Sequence, residues 1–384
     1  MKCRSGLFLV GLFFLVISVV SVADVKDEPI VVGQHRVVQS KILDEGRDLY
    51  IHLPEGYDTS GESYPVLFQL YAHFQYAYFL PQLCTMESLG AHGRTPAFIV
   101  VGIRNQQFRY RDLLPTDHFG GKSEIDRFLA FFQQELVPFI NREYRALDFR
   151  VLSGPQAGAA FGVYAMSKQP DLFNGMILTN PFWIQSSRQV LLDLFQESLG
   201  STDLSSRFMM VSHEDSEAPE AIRALDRFER MISEAGNHAP RFVRNRLSPD
   251  FSMAESVDLE QGMMQLFIDY PFPAGKQGQQ LAVIQQHYSD ISKRLGLPLQ
   301  APELTLVFEG DKYMEAGDLK SALAIFSFML EGYPDSLMAL DRLGGVHAKL
   351  GNRETAIGYY KRFLEQQPGN PRITGIMERL SAEN

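Results

Sequence analysis

Cysteine is almost missing from this chain: Cys3 and Cys84 are the two in 384 residues. Cys3 falls in an amino-terminal stretch that reads as removable, so no intrachain disulfide is expected. Runs of lysine or arginine are absent too, and the formal net charge is −10. That excludes the basic face a nucleic-acid binder needs. The nine histidines are scattered, without a His-x3-His or Cys-x2-Cys spacing, so no metal site is expected. No phosphate-cradling loop occurs either. Gly120-Gly121-Lys122-Ser123 has only the second half of one and reads as the turn opening a helix at Glu124. No cofactor is expected. The pentapeptide Gly-x-Ser-x-Gly, which presents a serine nucleophile above a sheet, does not occur anywhere.

What is present describes a globular protein with a full core, 45% hydrophobic and 21% charged. The length suits one large α/β domain and a smaller module. The first 23 residues stand apart. Lys2 and Arg4 precede the apolar run Leu7 to Val20, and Ser21-Val22-Ala23 forms a small-x-small cleavage site before Asp24. This reads as a secretory signal, and so as export; the alternative is an uncleaved membrane anchor. No second apolar segment is long enough to span a bilayer.

The body of the chain alternates strands and helices. His35–Ile42 and Leu49–Leu53 read as an antiparallel opening pair, and 66–71 and 97–103 as strands covered on both faces. Apolar residues from Ile125 to Ile140 fall at helical spacing. Strands at 151–152, 176–179, 208–212 and 241–247 follow, with a helix over 219–234. The pattern predicts an α/β fold with a doubly wound, mostly parallel sheet over residues 24–272. Residues 273–302 form a connector with a helix near Leu281–Leu295.

After it the chain becomes purely helical and repeats itself at an offset of 34. Gly310 matches Gly344, Ala322 matches Ala356, Phe326 matches Tyr360, and Pro334 matches Pro368. Small residues where two helices cross, with an aromatic to fill the next gap, make the tetratricopeptide pattern. Two such repeats are expected over 303–370, with a capping helix at 371–384 opened by Asn370 and Pro371. Arrays of this kind imply a protein or peptide partner.

The most informative segment is Gly154-Pro-Gln-Ala-Gly158, a strand–turn–helix layout with glutamine at its centre. The landmarks around it are Tyr64-Pro65-Val66-Leu67, Val101-Gly102-Ile103 and Arg111-Asp112-Leu113, then Glu135 to Pro138, Pro170 to Phe173 and Asn180 to Trp183. With these, residues 35–270 resemble the putative-esterase family of α/β-hydrolases, which includes siderophore (enterochelin) esterases and S-formylglutathione hydrolases. Exported members with carboxy-terminal tetratricopeptide repeats are the most similar, and on that ground a bacterial periplasm or secretion is expected.

The resemblance implies ester or thioester hydrolysis by a Ser-His-Asp/Glu triad, and the chain departs from it where chemistry would occur. Gln156 stands at the nucleophile position, and a carboxamide cannot be activated by a base. Phe251 stands at the histidine position, where a phenyl ring can neither accept nor relay a proton. Glu214 and Asp215 occupy the acid region beside His213. Ser153 lies on the strand before the turn, and His238 sits at the far end of its strand, so neither reads as a substitute. Loss of nucleophile or base alone costs about 10⁶-fold in kcat, leaving ~10³-fold over water if an oxyanion site survives. The expectation is a non-catalytic, esterase-like binding protein; the alternative is a carboxylic-ester or thioester hydrolase with a displaced site. Tyr71, Ala72, His73, Arg111, Asp112, Ala157 and Trp183 are the expected lining of a remnant pocket, with Arg111-Asp112 also readable as a structural ion pair.

Overall fold

Among the described residues eight strands form one sheet, in the spatial order 34–40, 45–52, 99–103, 64–70, 146–155, 175–179, 208–214 and 241–247. The computed structural model describes residues 29–72, 79–117, 121–180, 188–214, 218–247, 254–276, 278 and 280–382. The expected signal segment therefore lies outside the described residues. Strands β1 (Gln34–Ser40) and β2 (Glu45–His52) are antiparallel, turned at Asp44, which has φ of 57°. β2 also runs antiparallel to β4 (Ile99–Ile103). The rest of the sheet is parallel: β3 (Tyr64–Leu70), β5 (Ala146–Pro155), β6 (Gly175–Thr179), β7 (Phe208–Glu214) and β8 (Arg241–Leu247). This is the mostly parallel arrangement that the alternation of elements predicts, and it agrees with the α/β-hydrolase fold that the family resemblance implies.

β3 shows why the sheet is covered on both sides, since all seven of its residues are buried. Val66, Phe68 and Leu70 enter one core, while Leu67 between them enters the other, as period-two geometry requires. The first core is phenylalanine-rich, with Phe68, Phe128, Phe132, Phe161 and Phe173 meeting at ring separations of 5.0–6.1 Å. The helical run expected over 124–144 is there, but it changes pitch midway. Ile125–Phe131 and Val137–Glu143 are α-helical, while Phe132–Leu136 is a π turn in which the Val137 N–H donates to the Phe132 carbonyl. Pro138 has no N–H to give to the preceding turn, and the wider turn accommodates it.

The second core carries the carboxy-terminal half of the protein. Val151, Ile177 and Met210 of the sheet pack with Leu259, Met263 and Phe267, and the same cluster continues through Ile284 and Tyr288 into Leu306, Ile325 and Phe326. The helix Leu281–Leu295 is where the sequence puts it, closed by Gly296 at φ of 63°. Five further helices follow: Glu303–Glu315, Leu319–Gly332, Leu337–Lys349, Arg353–Gln366 and Pro371–Ala382. Their starts recur at the 34-residue offset, and so do the left-handed turn glycines Gly317 and Gly351, with φ of 77° and 79°. A Cβ on Gly310 would meet the Phe326 ring at 2.3 Å, and one on Gly344 would meet Tyr360 at 2.6 Å. Ala322 and Ala356 are fully buried in the same crossings. The Asn370 side chain accepts from the Ile373 N–H at 3.2 Å, so it caps the last helix as expected.

Candidate functional site

Strand β5 ends at Pro155 and the helix Ala157–Lys168 begins two residues later, so one residue makes the whole turn. That residue is Gln156, with φ of 52° and ψ of −119°, a conformation L-residues adopt at a cost of about 1–3 kcal/mol. Its N–H donates to the Thr179 carbonyl on β6 at 2.8 Å, and its carbonyl accepts from the Ala159 N–H at 3.0 Å. Of the flanking glycines, Gly154 is required by space. A Cβ on Gly154 would lie 2.6 Å from the Gly158 carbonyl oxygen. The turn is thus a nucleophile elbow in shape, and the side chain it lifts into solvent is a carboxamide.

Two more non-glycine residues take a positive φ at the carboxyl edge of the sheet. Tyr71 (φ 61°) follows β3 and Asn180 (φ 54°) follows β6, so three adjacent strands end in left-handed turns around one spot. In hydrolases of this fold an oxyanion hole combines the amide after the nucleophile with one from the loop after β3. Here the Tyr71 N–H donates to Asn105 Oδ1 at 3.0 Å and the Ala72 N–H to the Ile103 carbonyl at 3.1 Å. Both described amides after β3 are spoken for. Among the described residues the Ala157 N–H remains as a donor, beside the Tyr71 phenol. Burial pushes that phenol far above its usual range, with the Ala157 N–H pulling weakly the other way.

Behind the elbow lies a carboxylate pair that sequence patterning does not single out. Asp258 is fully buried and accepts from the hydroxyls of Thr179 and Ser212 and from Asn245 Nδ2 at 3.3 Å. Since the Thr179 carbonyl also holds the Gln156 N–H, Asp258 is one residue removed from the turn. Burial raises the Asp258 carboxyl to about 6 despite those three donors. Glu255, one helical turn earlier, is pushed to about 7, first by burial and then by the Asp258 charge. Among the described residues Glu255 has no hydrogen-bond partner, and its charge reaches the Tyr71 phenol. One signal was available. Asp258 shares the apolar helical stripe of Leu259, Gly262, Met263 and Leu266, where an acid is out of place.

The remaining expected residues fall in several places. His213 is buried within β7, and Arg244 Nε donates to its Nε2 at 3.1 Å. Arginine can only donate, so Nε2 is the bare nitrogen and Nδ1 carries the proton toward the Glu214 carbonyl, 3.2 Å away. Glu214 Oε1 accepts from Asn180 Nδ2 at 3.4 Å. Ser153 is buried in mid-sheet, paired with Gln69 and Ile177. His238 is exposed near Asp203 at the opposite end of β8. Arg111 and Asp112 belong to a buried ion network instead of a pocket wall. Arg111 binds Glu45 at 2.5 Å and Asp112 at 2.9 Å, and Arg47 reaches Asp112 at 2.7 Å while lying over Phe108. Structural pinning was the competing expectation for this pair, and these contacts match it. His73, Trp183, Asp215 and Phe251 lie outside the described residues.

Residues 40–218 match the model of the family described as Putative esterase. Among curated proteins no relative matches. Solved structures share the fold at low identity. An IroE-like serine hydrolase from Shewanella oneidensis is 21% identical with a TM-score of 0.65, covering 78% of this chain and 99% of that one. An uncharacterised protein from Capnocytophaga ochracea is 20% identical with a TM-score of 0.59, covering 91% of this chain and 99% of the other. The siderophore hydrolase EstA from Aspergillus nidulans is 19% identical with a TM-score of 0.52, covering 63% and 98%.

Proposed function

From the Putative esterase family match over residues 40–218, we propose that this chain keeps the esterase scaffold without its acyl-transfer chemistry. In this reading it is an exported binding protein. The observation that carries it is Gln156 at the apex of the elbow, where acyl-enzyme formation requires an ionisable hydroxyl. Supporting it, the Tyr71 and Ala72 amides after β3 are bonded within the protein, and the described histidine at the sheet's carboxyl edge, His213, accepts from an arginine. The remnant site binds a small ligand between Tyr71, Gln156 and Ala157. The paired helices after residue 303 act as two tetratricopeptide repeats and engage a protein partner.

Purified protein tests this directly with p-nitrophenyl acetate and butyrate and a serine-directed fluorophosphonate. Turnover at the buffer rate and no covalent labelling are expected. Labelling together with fluorophosphonate-sensitive turnover would overturn the reading.

A second reading, an active ester or thioester hydrolase with a displaced site, has one observation in its favour. Glu255 is raised to about 7, the range in which a carboxylate can act as general base toward water. Direct water attack would need no acyl-enzyme, so its mark would be fluorophosphonate-resistant turnover that Glu255→Gln abolishes.

A further inference from the structure

The edge of the sheet opposite the elbow borders a cleft of about 1220 Å³. One wall holds residues at the amino ends of β3, β4 and β5, namely Tyr64, Phe98 and Leu147. The facing wall comes from the loop 298–302, the helical residues Phe328 and Met338, and Tyr333 in the turn between their helices. Small-molecule pockets run from roughly 300 to 1,000 Å³, so this space suits a larger occupant.

Its charge is of one sign. Glu55, Glu62, Glu87, Glu303 and Asp335 line it, and no described lysine or arginine does. The inner carboxylates are paired weakly for their charge. Glu62 accepts from the Gln300 amide and Glu303 from the Ser336 hydroxyl, both neutral donors. Glu87 meets His52 Nε2 at 2.6 Å. Burial raises the Glu62 carboxyl. After burial itself, the Glu62 charge is among the causes that raise the phenols of Tyr64, Tyr270 and Tyr333 around it. Arg145 lies behind this wall, donating to the Glu62 carbonyl and stacking on Tyr57, and is not among the lining residues. A cavity whose half-buried carboxylates and tyrosine rings meet no described lining lysine or arginine favours a cation with an aliphatic stem.

We propose that this cleft binds an extended peptide segment bearing lysine or arginine side chains, with Glu62 and Glu303 taking the charged heads. The site is separate from the elbow and does not depend on whether the elbow performs chemistry. Fluorescence anisotropy of the full chain with a fluorescein-labelled Lys-Ala-Lys-Ala-Lys-Ala peptide tests it, with the glutamate counterpart as control. Saturable binding of the basic peptide alone is expected. Replacing Glu62→Gln and Glu303→Gln together should weaken it about tenfold or more. The rim substitutions Glu55→Lys and Asp335→Lys are exposed and should weaken it without touching the core. Affinity indifferent to all four changes would overturn the proposal by placing the peptide elsewhere on an acidic surface. Displacement by spermine at equal concentration would overturn the peptide in favour of a small polyamine.

Discussion

Gln156 concentrates the residue-scale argument because its backbone and side chain point to different conclusions. The backbone keeps a positive φ that a reactive serine would need, while the side chain cannot use it. Gln156→Gly should therefore stabilise the fold, by about 1 kcal/mol, because glycine adopts this conformation without strain. A rise in melting temperature would confirm it. Gln156→Ser should leave esterase turnover at background, because no described histidine with a free ring nitrogen faces the turn. Glu255 supplies a pH prediction. Its folded-state value of about 7 lies above that of an unfolded carboxyl. The unfolded chain therefore gives up this proton first, and the associated stability is fully present below about pH 4 and is lost as pH rises from there to 7. Glu255→Gln should match the wild type near pH 4 and exceed it by roughly 3 kcal/mol at pH 8. Paired thermal melts at the two pH values measure this.

Among the elements, legibility followed periodicity. The parallel strands, the helix Leu281–Leu295 and the 34-residue helical repeat were readable because apolar spacing, glycine stops and paired small residues all agree there. β5 was read from Val151-Leu152 and runs over ten residues, since Asp148 and Arg150 interrupt the apolar pattern at its start. The elbow was legible from Gly154 and Gly158. The Glu255–Asp258 pair was not, because it arises from tertiary burial and from hydroxyls on β6 and β7, far away in sequence. Nor was the loss of the β3-side amides, which depends on where Asn105 and Ile103 fold back. The helix crossings give a sharper test. Gly344→Ala would force Tyr360 out of its seat and should cost about 1–3 kcal/mol. Gly375→Ala, on the last helix with open space around it, should be neutral or slightly stabilising in the same assay.

Across the whole molecule, the second core runs without a break from the sheet into the carboxy-terminal helices. The helical segment is thus a wall of the same hydrophobic body, and residues 303–384 alone should show no cooperative thermal transition. The full chain should melt in one step, and a separate early transition by calorimetry would contradict this. β3 and β5 run from the cleft to the elbow, β3 alone spanning about 23 Å at ~3.3 Å per residue. From Val66 to Gln69 β3 is paired in register on both sides, and that stretch offers no second arrangement through which filling one end could alter the other. Titrations at the two ends should accordingly superimpose, each saturation curve keeping its midpoint whether or not the opposite occupant is bound.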